Sequence, residues 1–280
     1  MPGDDDYPDL LQATADPPLG LFVRGAMADA PVVAIVGSRR ASAYGLQVAR
    51  LLGEACAAAG AVVVSGMARG IDAAAHEGAL AGGGTTWAVW GTGPDRVYPP
   101  EHRALADRLI DSGGALLTEY PPGTPPRRHH FPERNRIVAG VARSVVVVEA
   151  AARSGALVTA RMAVDEGREV LAVPGSILSE LSVGPNALLR LGARPVVTPR
   201  DVLETLGLEA VPDGPAATAD DPLLQTIAPG EAVAVDVLVE RTGRPVHEVL
   251  AALLELEVAC RVIRQPDGSY RRAVAKPAAE

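Results

Sequence analysis

PVVAIVGSRRASAYGLQVARLLGEACAAAG, residues 31–60, passes from a solid apolar block through a polar turn into an Ala- and Leu-rich stretch. VVAIV (32–36) is β-branched and unbroken, as in a strand buried on both faces, while 42–59 carries helical spacing. The same succession recurs outward. Apolar runs follow at AVVV (61–64), TTWAVW (85–90), GALLTE (114–119), SVVVV (144–148) and EVLAV (169–173), with helical spacing again over 71–81 and 156–166. Strands alternating with helices predict βαβ units, hence an α/β fold with a parallel sheet covered on both faces. Ligands of such sheets sit beyond the C-terminal strand ends, where strand order reverses.

A chain of 280 residues with 48% hydrophobic and 21% charged residues buries a full core, and its length suits one large domain and one small one. Its two cysteines, Cys56 and Cys260, are far apart and belong to no CxxC or His-rich cluster. Neither a disulfide framework nor a metal site is predicted. The N-terminus MPGDDDYPDL lacks the basic and apolar regions of a secretory signal, and charged residues interrupt every apolar run, so a cytoplasmic protein is expected. The net charge of −8 divides unevenly: −5 over residues 1–30, +2 over 31–208 and −5 over 209–280. A mildly basic middle between acidic flanks permits an anion-binding face. Residues 1–30 read as an acidic extension, 31–208 as the main domain, the Pro/Gly/Ala-rich 209–221 as a linker and 222–280 as a second domain.

The strand ends carry the chemistry. GSRRASAYG (37–45) is neither GxGxxG nor GxxxxGK[ST], so no dinucleotide or nucleoside triphosphate cofactor is indicated. Gly37 permits a tight turn, Ser38 offers a hydroxyl, Arg39 a planar fork of donors, and the following helix N-terminus favours an anion. A plain turn with a solvated Arg39 is the alternative. Ser65 and Gly66 form a second small turn. Beyond it, Asp72 and His76 are four apart and share a helix face. They read as an acid–base couple, or as a capping Asp72 with His76 hydrogen-bonded to it; no suitably spaced Ser or Cys suggests a triad. Glu149, at the end of the fifth run, is open to two readings: a general base, or a buried carboxylate organising nearby loops. Ser154 and Gly155 make a third helix-entry turn.

RRHHFPERNR (127–136) places four arginines around one of only two phenylalanines. A helix is expected to start near Pro132, leaving Phe131 exposed at its entrance on a proline-stiffened loop. Arg127 and Arg128 flank it on one side, Arg134, Asn135 and Arg136 on the other. Guanidinium groups can hold successive phosphates while an aromatic face stacks on an unpaired base. The rival is a hydrophobic staple among solvated arginines. The anion turns at neighbouring strand ends favour a nucleic-acid strand, which presents many phosphates.

GSRRASAYG, SGMARGID, YPPEHRAL, FPERNRIVAG, VVEAAARSGALVTA and VPGS…SVGPNALLRLGA, in this order, resemble the DNA-processing protein A family (DprA, also called Smf) over residues 7 to about 205. Residues 222–275 resemble the winged-helix domain that many members carry. The resemblance implies a Rossmann-like fold that binds single-stranded DNA without sequence preference and loads RecA recombinase onto incoming DNA during natural transformation and recombination. It implies a homodimer, no enzymatic activity and no cofactor. Gly37, Ser38 and Arg39 match the family's Gly-Ser/Thr-Arg phosphate turn, Phe131 an aromatic that packs on a base, and the basic residues before it a contact to the strand. The full set expected at DNA is Gly37, Ser38, Arg39, Ser65, Gly66, Arg127, Arg128, Phe131, Arg134, Asn135, Arg136, Ser154 and Gly155. Many members carry a helical domain ahead of these motifs; here an acidic stretch of thirty residues precedes the first strand, so that domain is expected to be absent or removed. Lysines of some relatives are absent too. The chain has one, Lys276, against 25 Arg, and Arg serves a phosphate equally well.

In the second domain, helices are expected near 221–227, 232–241 and 245–257, then a strand–turn–strand at 258–274. The third helix carries His247, Glu248, Glu255 and Glu257 and no Arg or Lys between Pro245 and Cys260. That favours a protein-contact module over a duplex reader, with Arg261, Arg264, Arg271 and Arg272 confined to the wing. Two rival classes remain: a nucleotide phosphoribohydrolase, whose PGGxGTxxE signature is missing, and an adaptor that binds no nucleic acid.

Overall fold

Every residue of VVAIV is buried, and its side chains alternate between two cores. The computed structural model describes residues 1, 3, 7–209, 222–228, 231–258, 261–265 and 268–272. Cys260 and all of the expected linker except Glu209 lie outside the described residues. The chain divides into two units, Met1–Val211 and Pro212–Glu280.

The first unit runs α1 (Asp9–Gln12), β1 (Phe22–Gly25), β2 (Val32–Val36), α2 (Ala43–Ala58), β3 (Val62–Ser65), α3 (Ile71–Ala81), β4 (Thr86–Val89) and α4 (Arg103–Asp111). It continues with β5 (Ala115–Thr118), α5 (His130–Val141), β6 (Ser144–Val147), α6 (Gly155–Asp165), β7 (Glu169–Ala172), α7 (Val183–Arg190), β8 (Arg194–Pro195) and α8 (Pro199–Leu206). The sheet order is β1-β5-β4-β3-β2-β6-β7-β8. All pairs are parallel except β1 with β5. Strand order therefore reverses between β2 and β6, and the loops after those two strands open side by side.

Val32, Ala34 and Val36 face a core shared with Ile137 and Val138 of α5 and Ala160 of α6. Val33 and Ile35 face the opposite core with Leu52 of α2, Ile71 of α3 and Leu203 of α8. Residues 1–30 are not external to this architecture. Tyr7 and Leu11 join the first core, and β1 extends the sheet. Helix ends follow local rules. Ser42 caps α2 through Gly45 N (3.1 Å), and Thr198 and Asp201 form a capping box on α8, which stops at left-handed Gly207 (φ 71°).

The second unit holds α9 (Pro222–Gln225), β9 (Ala232–Val233), α10 (Val235–Thr242), α11 (Val246–Val258), β10 (Val262–Arg264) and β11 (Tyr270–Arg272). Its antiparallel sheet, ordered β10-β11-β9, closes over Leu223, Leu238, Val249, Leu253 and Tyr270 in a winged-helix arrangement. Among the described residues no helix is long and apolar enough to cross a membrane, and no three His, Cys, Asp or Glu side chains gather as metal ligands would.

Candidate functional site

At the reversal point the loops after β2, β3 and β6 enclose a cleft of about 760 Å³, completed by α5 and by the 3₁₀ turn Glu180–Ser182 that follows β7. Among the described residues its cations are all arginines: Arg39, Arg40 and Arg153, which are exposed, and Arg134 in the floor.

The β2–α2 turn is held from below. Gly37 leaves no room for a Cβ, which would sit 2.5 Å from Ile71 Cγ1 and 2.9 Å from the Glu149 carbonyl oxygen. Glu149, only 3% exposed, accepts hydrogen bonds from Ser42 N (2.9 Å) and Ser42 Oγ (2.5 Å). The carboxylate facing the start of α2 is thus the protein's own. Its hydrogen bonds to Ser42 fit the organising reading of Glu149. The helix end that opens onto the cleft is α6, where Ser154 accepts from Ala156 N (3.3 Å) and Gly155 is exposed.

The β3–α3 turn locks onto the first one. Ile71 N donates to Ser38 O (3.2 Å), and left-handed Gly70 (φ 78°) lies against that same carbonyl. Asp72 accepts from Gly66 N (3.2 Å) and Ala68 N (3.3 Å). Burial pushes its pKa up, against the opposing pull of Arg134, these two N–H groups and Arg39. Arg134, 3% exposed, donates through Nη1 to Val89 O and lies flat against Gly66, where any Cβ would collide with its guanidinium. Burial draws its pKa down to about 10, so it stays cationic.

Next to the cleft is a recess of about 40 Å³ lined by Arg39, Tyr98, Phe131 and Arg134. The Phe131 and Tyr98 ring centroids are 5.2 Å apart, and the Arg39 guanidinium lies 5.6 Å from the Phe131 centroid, within cation–π range. Arg39 is common to both spaces and joins the arginine-lined cleft to an aromatic shelf.

His76 does not pair with Asp72. Thr86 Oγ1 donates to Val63 O (2.6 Å), so it accepts from His76 Nδ1 (2.6 Å), which places a proton on Nδ1 and leaves a buried Nε2 with no acceptor for a second one. Burial pushes the His76 pKa down to about 3. The unfolded chain takes up a proton near pH 6.5 that the folded ring refuses, so stability is full above that pH and falls as pH drops toward 3. Between pH 7 and pH 5 the loss is about 2 kcal/mol. Chemical denaturation at both pH values should find that difference reduced by about this amount in His76→Asn; an unchanged difference places the titration elsewhere.

The model of the DNA recombination-mediator protein A family matches residues 1–207, and that of the DprA winged helix domain matches 208–268. The chain belongs to the DNA recombination-mediator protein A family. Protein Smf of Escherichia coli is 43% identical over 286 residues, covering 97% of this chain and 76% of that protein. DNA processing protein DprA of Streptococcus pneumoniae is 46% identical over 202 residues, 71% of each chain. The X-ray structure of the pneumococcal DprA superposes with a TM-score of 0.67 at 45% identity, covering 72% of this chain and 71% of that one. DNA processing protein A from Helicobacter pylori, whose structure addresses its single-stranded DNA binding mode, gives 0.65 at 30% identity over 72% and 93%.

In this DprA-family chain the residues expected at DNA separate into distinct places. Gly37, Ser38, Arg39, Gly66, Arg134, Asn135, Ser154 and Gly155 line the cleft, and Phe131 lines the recess. Ser65 is fully buried and donates to Ile35 O (2.6 Å), tying β3 to β2. Arg136 turns away to Glu119 (2.7 Å) and Asp16 (3.1 Å). Arg127 and Arg128 are exposed ahead of α5 and are not among the cleft-lining residues. Phe131 is half-buried in the first turn of α5, which begins at His130 and not near Pro132. His130 stacks on Tyr120 at 4.0 Å and its Nδ1 donates to Gly91 O (3.0 Å), contacts that pull the helix start back. Arg40, Arg153 and Tyr98 were not singled out from sequence. The doubled arginine and the Arg before Ser154-Gly155 were readable signals for the first two.

Proposed function

We propose that this DprA-family chain binds single-stranded DNA without reading its sequence and delivers it to RecA recombinase during DNA uptake and recombination. It works in the cytoplasm, as a homodimer, by binding and not by catalysis. The observation that carries the reading is Arg39 shared between the cleft and the Phe131–Tyr98 shelf, which suits a chain of alternating phosphates and bases. Guanidinium forks and a helix N-terminus take phosphates of any sequence, and an aromatic face accepts any base. The RecA and dimer elements rest on family membership. The winged-helix unit is a protein contact in this reading, since α11 exposes Val246 and Leu250 and its sequence carries no cation.

Titration of fluorescent oligo-dT against a second homopolymer and a duplex of equal length tests the core statement; tight binding to the duplex alone overturns it. Arg39→Ala should weaken oligo-dT binding by about 1–3 kcal/mol and flatten the slope of log K against log salt by about 0.7. Phe131→Ala should cost about 1–3 kcal/mol with that slope unchanged, because stacking releases no counterions. Equal slope changes in both variants would assign Phe131 an electrostatic role the reading does not allow. The phosphoribohydrolase alternative has its own test, base release from nucleoside monophosphates. Against it, Glu149 is committed to Ser42 and Asp72 to Gly66 and Ala68.

A further inference from the structure

The turn after β7 departs from ordinary surface design. Ser179 N donates to Ser176 O (3.0 Å), Leu178 N to Ser176 Oγ (3.2 Å), and Asn186 brackets Gly175 through both its amide atoms (3.3 and 3.0 Å). Gly175 is required there, because a Cβ would strike Ser182 Oγ. The turn is therefore built and anchored, and Ala150 N holds its far side through Leu181 O (2.7 Å). Yet its tip carries Ile177 and Leu178, 91% and 92% exposed, the most exposed large aliphatics among the described residues. Two adjacent aliphatic side chains held in water contribute nothing to the fold, and polar residues would serve the turn as well.

Position supplies the explanation. Glu180 and Leu181, directly after the tip, line the cleft together with Arg153 and Ser154, whereas the aromatic recess shares Arg39, Gly66, Ala68 and Arg134 with the cleft and none of those four. We infer that Ile177 and Leu178 form a second base-contact site, packing on the face of an unstacked nucleobase where the strand leaves the cleft on the side of α6. The inference rests on the single-stranded DNA reading. Phosphates are held by Arg39, Arg40 and Arg153, and bases are met at two separate places: by rings in the recess and by aliphatic side chains at the turn after β7. Apolar side chains pack against base faces in the same manner in which wedges enter base steps. Aliphatics, like rings, discriminate little between bases.

The test is an abasic scan of a fixed-length dT oligonucleotide, read by anisotropy with the full chain. The wild type should lose affinity when the abasic site falls in either of two separated registers. The double variant Ile177→Ser/Leu178→Ser should bind intact oligonucleotide about tenfold more weakly, as for losing roughly 50 Å² of apolar contact, with its salt slope unchanged. It should also become indifferent to the abasic site in one register while keeping the other, and Phe131→Ala should show the opposite choice. Wild-type affinity in the double variant overturns the inference while leaving strand binding intact. A change in molecular mass by light scattering, with the abasic profile of wild type retained, makes the tip a contact between copies and overturns it as well. Failure of the wild type to bind oligo-dT at all removes the parent reading instead.

Discussion

Arg134→Ala is expected to destabilise the first unit by about 3–5 kcal/mol, because it removes one member of a buried charged set and leaves the others uncompensated. The guanidinium is almost fully buried, meets the Val89 carbonyl and lies against Gly66. Without it the carbonyl loses its donor, and Asp72, whose pKa burial already raises, loses the strongest influence holding it down. A cavity adds to the cost. Arg134→Met fills that cavity and should recover part of the loss, since a well-packed apolar side chain can match a buried charge in stability. Urea denaturation separates these outcomes. A loss below about 1 kcal/mol in the alanine variant would mean that desolvating the charge costs as much as its contacts return.

Glu149→Ala should cost about 2–4 kcal/mol, through two orphaned donors at Ser42 and an unfilled space against Gly45. Glu149→Gln keeps an acceptor and the volume, and should lose about 1 kcal/mol. The pair is diagnostic of role. An organising carboxylate gives graded losses of stability with strand affinity falling in step, as the Gly37–Arg39 turn loosens. A general base would leave stability untouched in the glutamine variant and abolish a reaction.

The interior of the sheet was legible because strands buried on both faces leave unbroken β-branched runs; each of the six runs named from sequence coincides with a strand to within a residue at either end. β1 and β8 were not. All four residues of β1 are exposed, and its position depends on pairing with Leu116 and Leu117, far away in the chain. β8 is two residues long, and one of them is proline. In the site, arginines were legible as cations but not as buried or paired ones. Arg134 lies four residues after His130 and three before Ile137, on the buried stripe of α5, so reading that helix by its period would have placed it inside. Arg136 needed Glu119 and Asp16, which no local pattern brings near. Tyr98 belongs with Phe131 only because the loop after β4 and the start of α5 meet in space.

The arginine-only lining of the cleft has a chemical corollary. An ε-amino group can be acylated and loses its charge when that happens; a guanidinium offers acyl donors no comparable nucleophile. Lys276, the chain's one lysine, lies outside the described residues. Among the described lining residues lysine acetylation therefore has no target, and Arg134, its pKa drawn down to about 10 by burial, stays cationic at neutral pH. On the proposed reading, the cleft's hold on a nucleic-acid strand is therefore not switched by lysine acylation of its described lining. The surrounding electrolyte would modulate that hold instead, through the ionic strength and the polyanions that compete for the same arginines.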